Sequence, residues 1–156
     1  GGLAAPADET VTRLRAHLAA LSTLGDKQLR VFADLAAPVR ARMQANQLSE
    51  AAARLLVERG VRPVEGGFVW SSDPRLTLPT PQRLDEAQLA ALVAGIGCLT
   101  TVVYADPPQP YFPEPLRSQR ASLLPDGQLH VIAGTHHLHM EDPARVAMLI
   151  GPFLRA

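Results

Sequence analysis

Histidines are concentrated in one short stretch of this 156-residue chain. The segment GTHHLHMEDP, residues 134–143, holds three of the five histidines. It follows a β-prone run at residues 128–132 and precedes a helix that Asp142 and Pro143 are expected to begin. Ligands of open α/β sheets bind at the carboxyl ends of strands, and histidine transfers protons near neutral pH. The segment is therefore a candidate for chemistry.

Three interpretations of this segment compete. In the first, one histidine is catalytic and a carboxylate elsewhere orients it. In the second, His137, His139 and Glu141 bind a metal, in a pattern that resembles the His-x-His-x-Asp-His signature of metallo-β-lactamase-like hydrolases. In the third, the segment is a solvated loop whose acidic residues begin a helix. The residue types alone leave all three open.

Composition excludes several classes of protein. Fifteen basic residues balance fifteen acidic ones, which argues against nucleic-acid binding and gives no support to electrostatic membrane attachment. A hydrophobic fraction of 47% favours a packed core. The single cysteine, Cys98, excludes an internal disulfide, and no apolar run reaches the roughly 20 residues of a membrane span. With no signal-peptide pattern, we expect a neutral, globular, cytoplasmic protein.

The first part of the chain predicts helices followed by a hairpin. Apolar residues at helical spacing run from Val11 to Leu21, and Ser49 has the character of a helix N-cap. A weaker helix is predicted at residues 38–44. The pair Gly66-Gly67 between two apolar runs is typical of a hairpin turn. After a proline-rich connector, Asp85 and Gln88 form a capping-box pattern that begins another helix.

The second part predicts parallel strands. Residues 99–104 are a continuous β-prone run, as expected of a strand buried on both faces. A helix near residues 116–124, a second strand at 128–132 and a last helix after Asp142 follow. This alternation implies right-handed parallel crossovers. Two strands cannot complete such a sheet, so we expect the edge of a larger one.

The combined motifs resemble the α/β-hydrolase superfamily. Residues 66–76, GGFVWSSDPRL, and residues 136–143, HHLHMEDP, are similar to its serine hydrolase-like group. The resemblance implies an α/β fold in which residues 98–156 form the C-terminal part of the hydrolase core. Residues 1–97 would form a helical lid with its connector.

The resemblance also implies roles for individual residues. His136 matches the general base, with His137 as the alternative. Asp106 matches the acid that follows the penultimate strand, with Glu114 as the alternative. The aromatic lid residues Trp70 and Phe68 either pack in the lid core or line the substrate pocket. No cofactor and no metal are implied.

The nucleophile is missing from the motifs. α/β-Hydrolases carry it in Gly-x-Ser-x-Gly, and no serine of this chain has that context. Because the family places this motif before the lid, we expect a complementary N-terminal segment as partner and no activity in the isolated chain. Residues 1–3, Gly-Gly-Leu, resemble the segment that leaves the sixth strand. The expected substrate is a small ester-like molecule; the alternative is a non-catalytic assembly piece or an inactive relative.

Overall fold

A computed structural model describes residues 4–26 and 30–155. Residues 1–3, which the sequence compares with the end of a sixth strand, lie outside the described residues. Contacts divide the chain into two compact units. One is Val11–Gln82, and the other joins the described residues before Val11 with those from Arg83 onward. We call them the helical unit and the sheet unit.

The helical unit consists of helices and one hairpin. Its elements are α1 (Thr10–Ser22), α2 (Ala36–Asn46), α3 (Glu50–Gly60), β1 (Val61–Val64) and β2 (Gly67–Trp70). The predicted helices and hairpin are therefore confirmed.

Local signals explain where α3 begins and what it buries. The Ser49 Oγ accepts a hydrogen bond from the Ala52 N–H at 3.2 Å, as expected of an N-cap. Ala52, Ala53 and Val57 of α3 are buried, and α2 contributes the buried Val39. Small alanine side chains allow α2 and α3 to approach closely. The apolar stripe of α1, in contrast, is 42–57% exposed at each of its four positions.

The hairpin depends on glycine. β1 and β2 pair antiparallel, and the φ angles of Gly66 and Gly67 are 81° and 143°. Phe32 extends the hairpin, because its N–H and C=O each bond the backbone of Phe68 at 2.8 Å. An added Cβ at Gly67 would clash with the Phe32 carbonyl. Position 67 therefore requires glycine.

The sheet unit alternates helices with two parallel strands. Its elements are α4 (Glu86–Ala94), β3 (Thr100–Asp106), α5 (Leu116–Ser122), β4 (Gly127–Ala133), α6 (Leu138–Glu141) and α7 (Pro143–Ile150). β3 and β4 pair in parallel from Thr100↔Gly127 to Asp106↔Ala133, which confirms the predicted parallel crossover and the α/β class. None of the described helices is both long and apolar enough to cross a bilayer.

The division by contacts differs from the predicted division after residue 97. The sheet unit already begins at Arg83, so it includes α4. Glu86 of α4 forms an ion pair with Arg120 of α5, and the Ala5 N–H donates to the Leu84 carbonyl at 3.0 Å. These contacts attach α4 to α5, and the segment just before α4 to Ala5, within the sheet unit. The role of the helical unit as a lid stays a prediction.

Two local predictions need correction. β3 was expected to be buried on both faces, but its residues are half-buried apart from the exposed Asp106, and in β4 only Ile132 is buried. The reason is that, among the described residues, β3 pairs with β4 alone. The segment expected to be a loop at residues 134–140 contains the start of α6, because the N–H groups of Met140 and Glu141 donate to the His137 carbonyl.

Candidate active site

The predicted site residues lie where β3 and β4 end. Asp106 is the last residue of β3 and is paired in register with Ala133, the last residue of β4. The Gly134 N–H donates to the Asp106 carbonyl at 3.0 Å, which extends the pairing by one residue. His136 follows in the turn before α6. The fold thus brings His136 and Asp106 to the same edge of the sheet.

Gly134 gives this turn its shape. Its φ is 151°, and an added Cβ would lie 2.5 Å from the Leu138 Cδ2. Leu138 is buried and anchors α6 beneath the turn. A larger residue at position 134 would displace Leu138, so glycine fixes the start of the segment that carries His136.

A cavity of about 260 Å³ opens at this edge. His136 and His139 lie in its wall together with aromatic and aliphatic side chains from β3, the loop after β3 and α7. Most of the wall is apolar, a character typical of sites that bind small organic molecules. The lining residues are Val103, Tyr104, Ala105, Pro108, Gln109, Tyr111, Phe112, Arg117, His136, Leu138, His139 and Val146.

The three histidines are neighbours. Ring centroids are 5.2 Å apart for His136 and His137, and 6.1 Å apart for His137 and His139. His136 is exposed, and its ring meets that of Tyr111 edge-on at 6.4 Å. Partial burial, reinforced by the charges of the two neighbouring histidines, lowers the pKa of His137 below its ordinary 6.5. His137 is therefore held toward its neutral form.

The metal alternative requires three ligand side chains that converge on one point. Within residues 4–26 and 30–155, no three His, Cys, Asp or Glu side chains are placed to hold a metal ion together. The metal-dependent alternative, with His137, His139 and Glu141 as ligands, therefore has no geometric support.

Both candidate acids contact one buried arginine. The Arg117 Nη2 lies 3.5 Å from the Asp106 Oδ1, and the Arg117 Nε donates to a Glu114 oxygen. The other Glu114 oxygen accepts from the Ser118 N–H at 3.4 Å, so this carboxylate also caps α5. The bond from Arg117 and that from Ser118 lower the pKa of Glu114. In the described chain, no hydrogen bond joins His136 to Asp106.

Sequence reasoning missed Arg117 and its neighbour Arg120. Both are buried, at 6% and 8% exposure, although arginine is usually a surface residue. Their spacing of three places them on one face of α5. The Nε and Nη2 groups of Arg120 donate to the two carboxylate oxygens of Glu86, and its guanidinium carbon lies 5.1 Å from the centre of the Phe112 ring. The i, i+3 spacing of Glu114 and Arg117 was the available signal.

The predicted lid aromatics make their contacts within the helical unit. The Trp70 ring meets Phe32 edge-on at 6.3 Å, and the Arg42 guanidinium lies 4.8 Å from the Trp70 ring centre. Phe68 pairs with Phe32 through the backbone. Trp70 also borders an open groove beside Asp73, whose pKa is lowered to about 2 by hydrogen bonds from Arg75. Whether Trp70 and Phe68 line a substrate pocket stays a prediction.

Comparison with known proteins gives three informative likenesses. A serine hydrolase-like protein of Danio rerio is 26% identical over 141 residues, which cover 83% of this chain and 41% of the relative. A hypothetical protein of Pseudomonas aeruginosa has a crystal structure that matches with a TM-score of 0.86 and 34% identity, over 99% of this chain and 56% of that one. The thioesterase domain from the curacin biosynthetic pathway matches with a TM-score of 0.76 and 26% identity, over 95% and 54%.

These likenesses have a defined extent. No family model matches the chain. The chain spans about half the length of the relatives it matches. The α/β fold, the parallel strand pair and the named hydrolase and thioesterase relatives nevertheless agree with the motifs of residues 66–76 and 136–143. Together these findings indicate a relationship to the α/β-hydrolase superfamily.

Proposed function

We propose that this chain contributes the catalytic histidine and the helical lid of a serine-dependent α/β-hydrolase that cleaves a small ester-like substrate. The observation that carries the proposal is the position of His136. It lies in the turn after the last parallel strand, in the wall of an apolar cavity and beside the end of the strand that carries Asp106. Hydrolase-like relatives support the general activity.

The proposed reaction is acyl transfer to a serine. The serine Oγ forms a bond to the ester carbonyl carbon while His136 accepts the serine proton. The tetrahedral intermediate then breaks the bond to the alcohol, which takes that proton from His136. Water attacks the acyl-enzyme by the same route and releases the acid. Asp106 is the proposed orienting acid because it ends the strand that is paired with β4, whereas Glu114 accepts from the Ser118 N–H in the first turn of α5.

The serine must come from outside this chain. No Gly-x-Ser-x-Gly occurs in it, and it spans about half of its relatives' length. We therefore propose a complementary N-terminal segment, carrying the nucleophile, as the partner of this chain. Pairing of that segment with the open edge of β3 would also cover a strand that is only half-buried here.

The test is ester hydrolysis by the complete gene product. His136→Ala should lower kcat for p-nitrophenyl acetate by about a thousandfold or more, with little change in Tm, because the serine loses its proton acceptor. His17→Gln is the matched control, since His17 bonds the Pro79 carbonyl in the helical unit and should leave kcat unchanged. His137→Ala tests the alternative base and should cost much less than His136→Ala.

A second function is favoured by one observation. Among the described residues Asp106 pairs with Arg117 and makes no hydrogen bond to His136. An inactive relative with an assembly or binding role would have this arrangement too. A wild-type protein without His136-dependent turnover, and without labelling by a fluorophosphonate probe, would establish that alternative and refute the hydrolase proposal.

A further inference from the structure

Arg117 is a buried side chain of the sheet unit that contacts several acceptors. It lies in the first turn of α5, is 6% exposed, and faces the end of β3. Its Nη1 donates to the Ala105 carbonyl at 2.6 Å, its Nε donates to Glu114, and its Nη2 lies 3.5 Å from Asp106. The guanidinium thus contacts one backbone carbonyl and two carboxylates.

These partners lie at the two ends of one loop. Residues 107–113 connect β3 to the turn before α5 and include four prolines, which cannot donate backbone hydrogen bonds. Within this stretch the Phe112 N–H donates to the Gln109 carbonyl at 2.9 Å. Arg117 contacts Ala105 and Asp106 before the loop and Glu114 after it. The guanidinium therefore closes the loop at its base.

The loop carries groups that face His136. Tyr111 meets the His136 ring edge-on, and Phe112 lies against Tyr104 at 5.7 Å between ring centres. All of these side chains line the cavity. Displacement of the loop base would move Asp106 and Tyr111 relative to His136, whose own position is set by Gly134 on the other strand.

We propose that Arg117 is a positioning residue of the active site, which holds Asp106 and the loop of residues 107–113 in place beside His136. The inference rests on the proposed function of His136. Arginine suits the task because its planar fork can serve several acceptors at once, whereas lysine offers a single point charge. Arg117 has no direct part in proton transfer; it acts through Asp106 and the loop.

The experiment compares Arg117 with Arg120 in the complete gene product. Arg120 lies one turn further along α5, is equally buried, and pairs with Glu86 rather than with the loop base. Arg117→Ala should lower kcat by about ten- to a hundredfold with a smaller change in KM, because a misplaced acid and loop weaken the transition state most. Arg120→Ala should lower Tm by a similar amount and lower kcat much less than Arg117→Ala, because its contact with the loop is the Phe112 ring rather than Asp106.

Chemical rescue separates positioning from structural support. Arg117→Ala leaves a space that opens on the cavity, so millimolar guanidinium chloride should restore part of its kcat, and sodium chloride at the same concentration should not. Arg117→Lys keeps one ion pair and should have an intermediate kcat even if the alanine variant fails to fold. Guanidinium should not raise the kcat of wild type or of Arg120→Ala.

The outcomes are distinguishable. Equal kcat in wild type and Arg117→Lys, or a parallel loss of kcat and Tm in both alanine variants without rescue, would overturn the role of Arg117 while His136-dependent turnover remained. A wild-type protein without His136-dependent turnover would refute the proposed function, and the positioning role with it.

Discussion

The two units bury different kinds of side chain. In the helical unit the buried residues are apolar, among them Val39, Ala53, Val57 and Val69. In the sheet unit two of the few buried side chains are the arginines of α5, and the strands are mostly half-buried or exposed. Apolar burial is non-directional, whereas a buried guanidinium must meet acceptors at defined positions.

This difference separates stability from chemistry. The helical unit has a core of small apolar residues that local sequence signals can build. In the sheet unit, two of the buried side chains are arginines that form ion pairs. Such buried ion pairs fix the positions of their partners more than they increase the free energy of unfolding. The side chains that are candidates for catalysis accordingly lie in the sheet unit. We expect the two units to respond differently to the same class of substitution.

Gly67→Ala should give the largest loss of stability, and in the helical unit. The added methyl group would clash with the Phe32 carbonyl at a φ of 143°, so the hairpin must lose its contact with Phe32. We expect a cost of about 3 kcal/mol or more in the opening free energy of the hairpin.

Hydrogen exchange of the complete gene product measures this effect. Amides of β1, β2 and the Phe32 region should exchange much faster in Gly67→Ala, while those of β3 and β4 keep their protection. Gly25→Ala is the control, because an added Cβ there meets no atom within 4 Å. Unchanged protection of the hairpin in Gly67→Ala would contradict the proposed close approach of Phe32.

Arg120→Ala should have the next largest effect, in the sheet unit. It removes a fork to Glu86 and a contact with the Phe112 ring. Because Glu86 is 55% exposed, water can solvate the carboxylate that remains, and we expect a cost of about 2 kcal/mol rather than the larger penalty of a stranded buried charge.

A matched pair in the helical unit sharpens this comparison. Arg54 bonds Glu50 at 3.0 Å along α3, and both side chains are at least half exposed. Arg54→Ala should cost about 0.5 kcal/mol or less in urea unfolding, and 1 M salt should remove most of that difference. Equal losses in Arg54→Ala and Arg120→Ala would show that burial of the arginine does not matter.

The sequence predicted the elements whose signals are local. The Ser49 cap, the capping box at Asp85 and the Gly66-Gly67 turn each depend on residues three or fewer apart, and all three form as expected. The parallel pairing of β3 and β4 was also predictable, because strand–helix–strand connections follow a strong topological preference. Glycine at 134 and histidine at 136 then placed the candidate site.

Contacts between distant residues were not predictable in the same way. Arg120 meets Glu86, which lies 34 positions earlier, and nothing in the local sequence around either residue specifies that pairing. The Arg117 guanidinium beside Asp106 was likewise not predicted from the sequence around Asp106. The burial of β3 was overestimated because, among the described residues, β3 pairs with β4 alone, so its other edge is not covered by a strand. Side-chain partners of this kind are decided by packing.

The smallest predicted effect is the pH dependence contributed by His137. Burial, with the charges of His136 and His139, lowers its pKa in the folded chain below 6.5, and Glu141 opposes this shift. As the pH falls through and below 6.5, the unfolded chain therefore binds more protons than the folded one, and stability decreases.

In His137→Phe this part of the acid-dependent loss should disappear, so that its Tm falls less than that of wild type between pH 7.5 and 5.5, about one unit on either side of the ordinary histidine pKa. Glu141→Gln should enlarge the loss, because it removes the opposing charge. An NMR titration that places the His137 pKa at or above 6.5 would refute the mechanism, since the proton would then favour the folded chain.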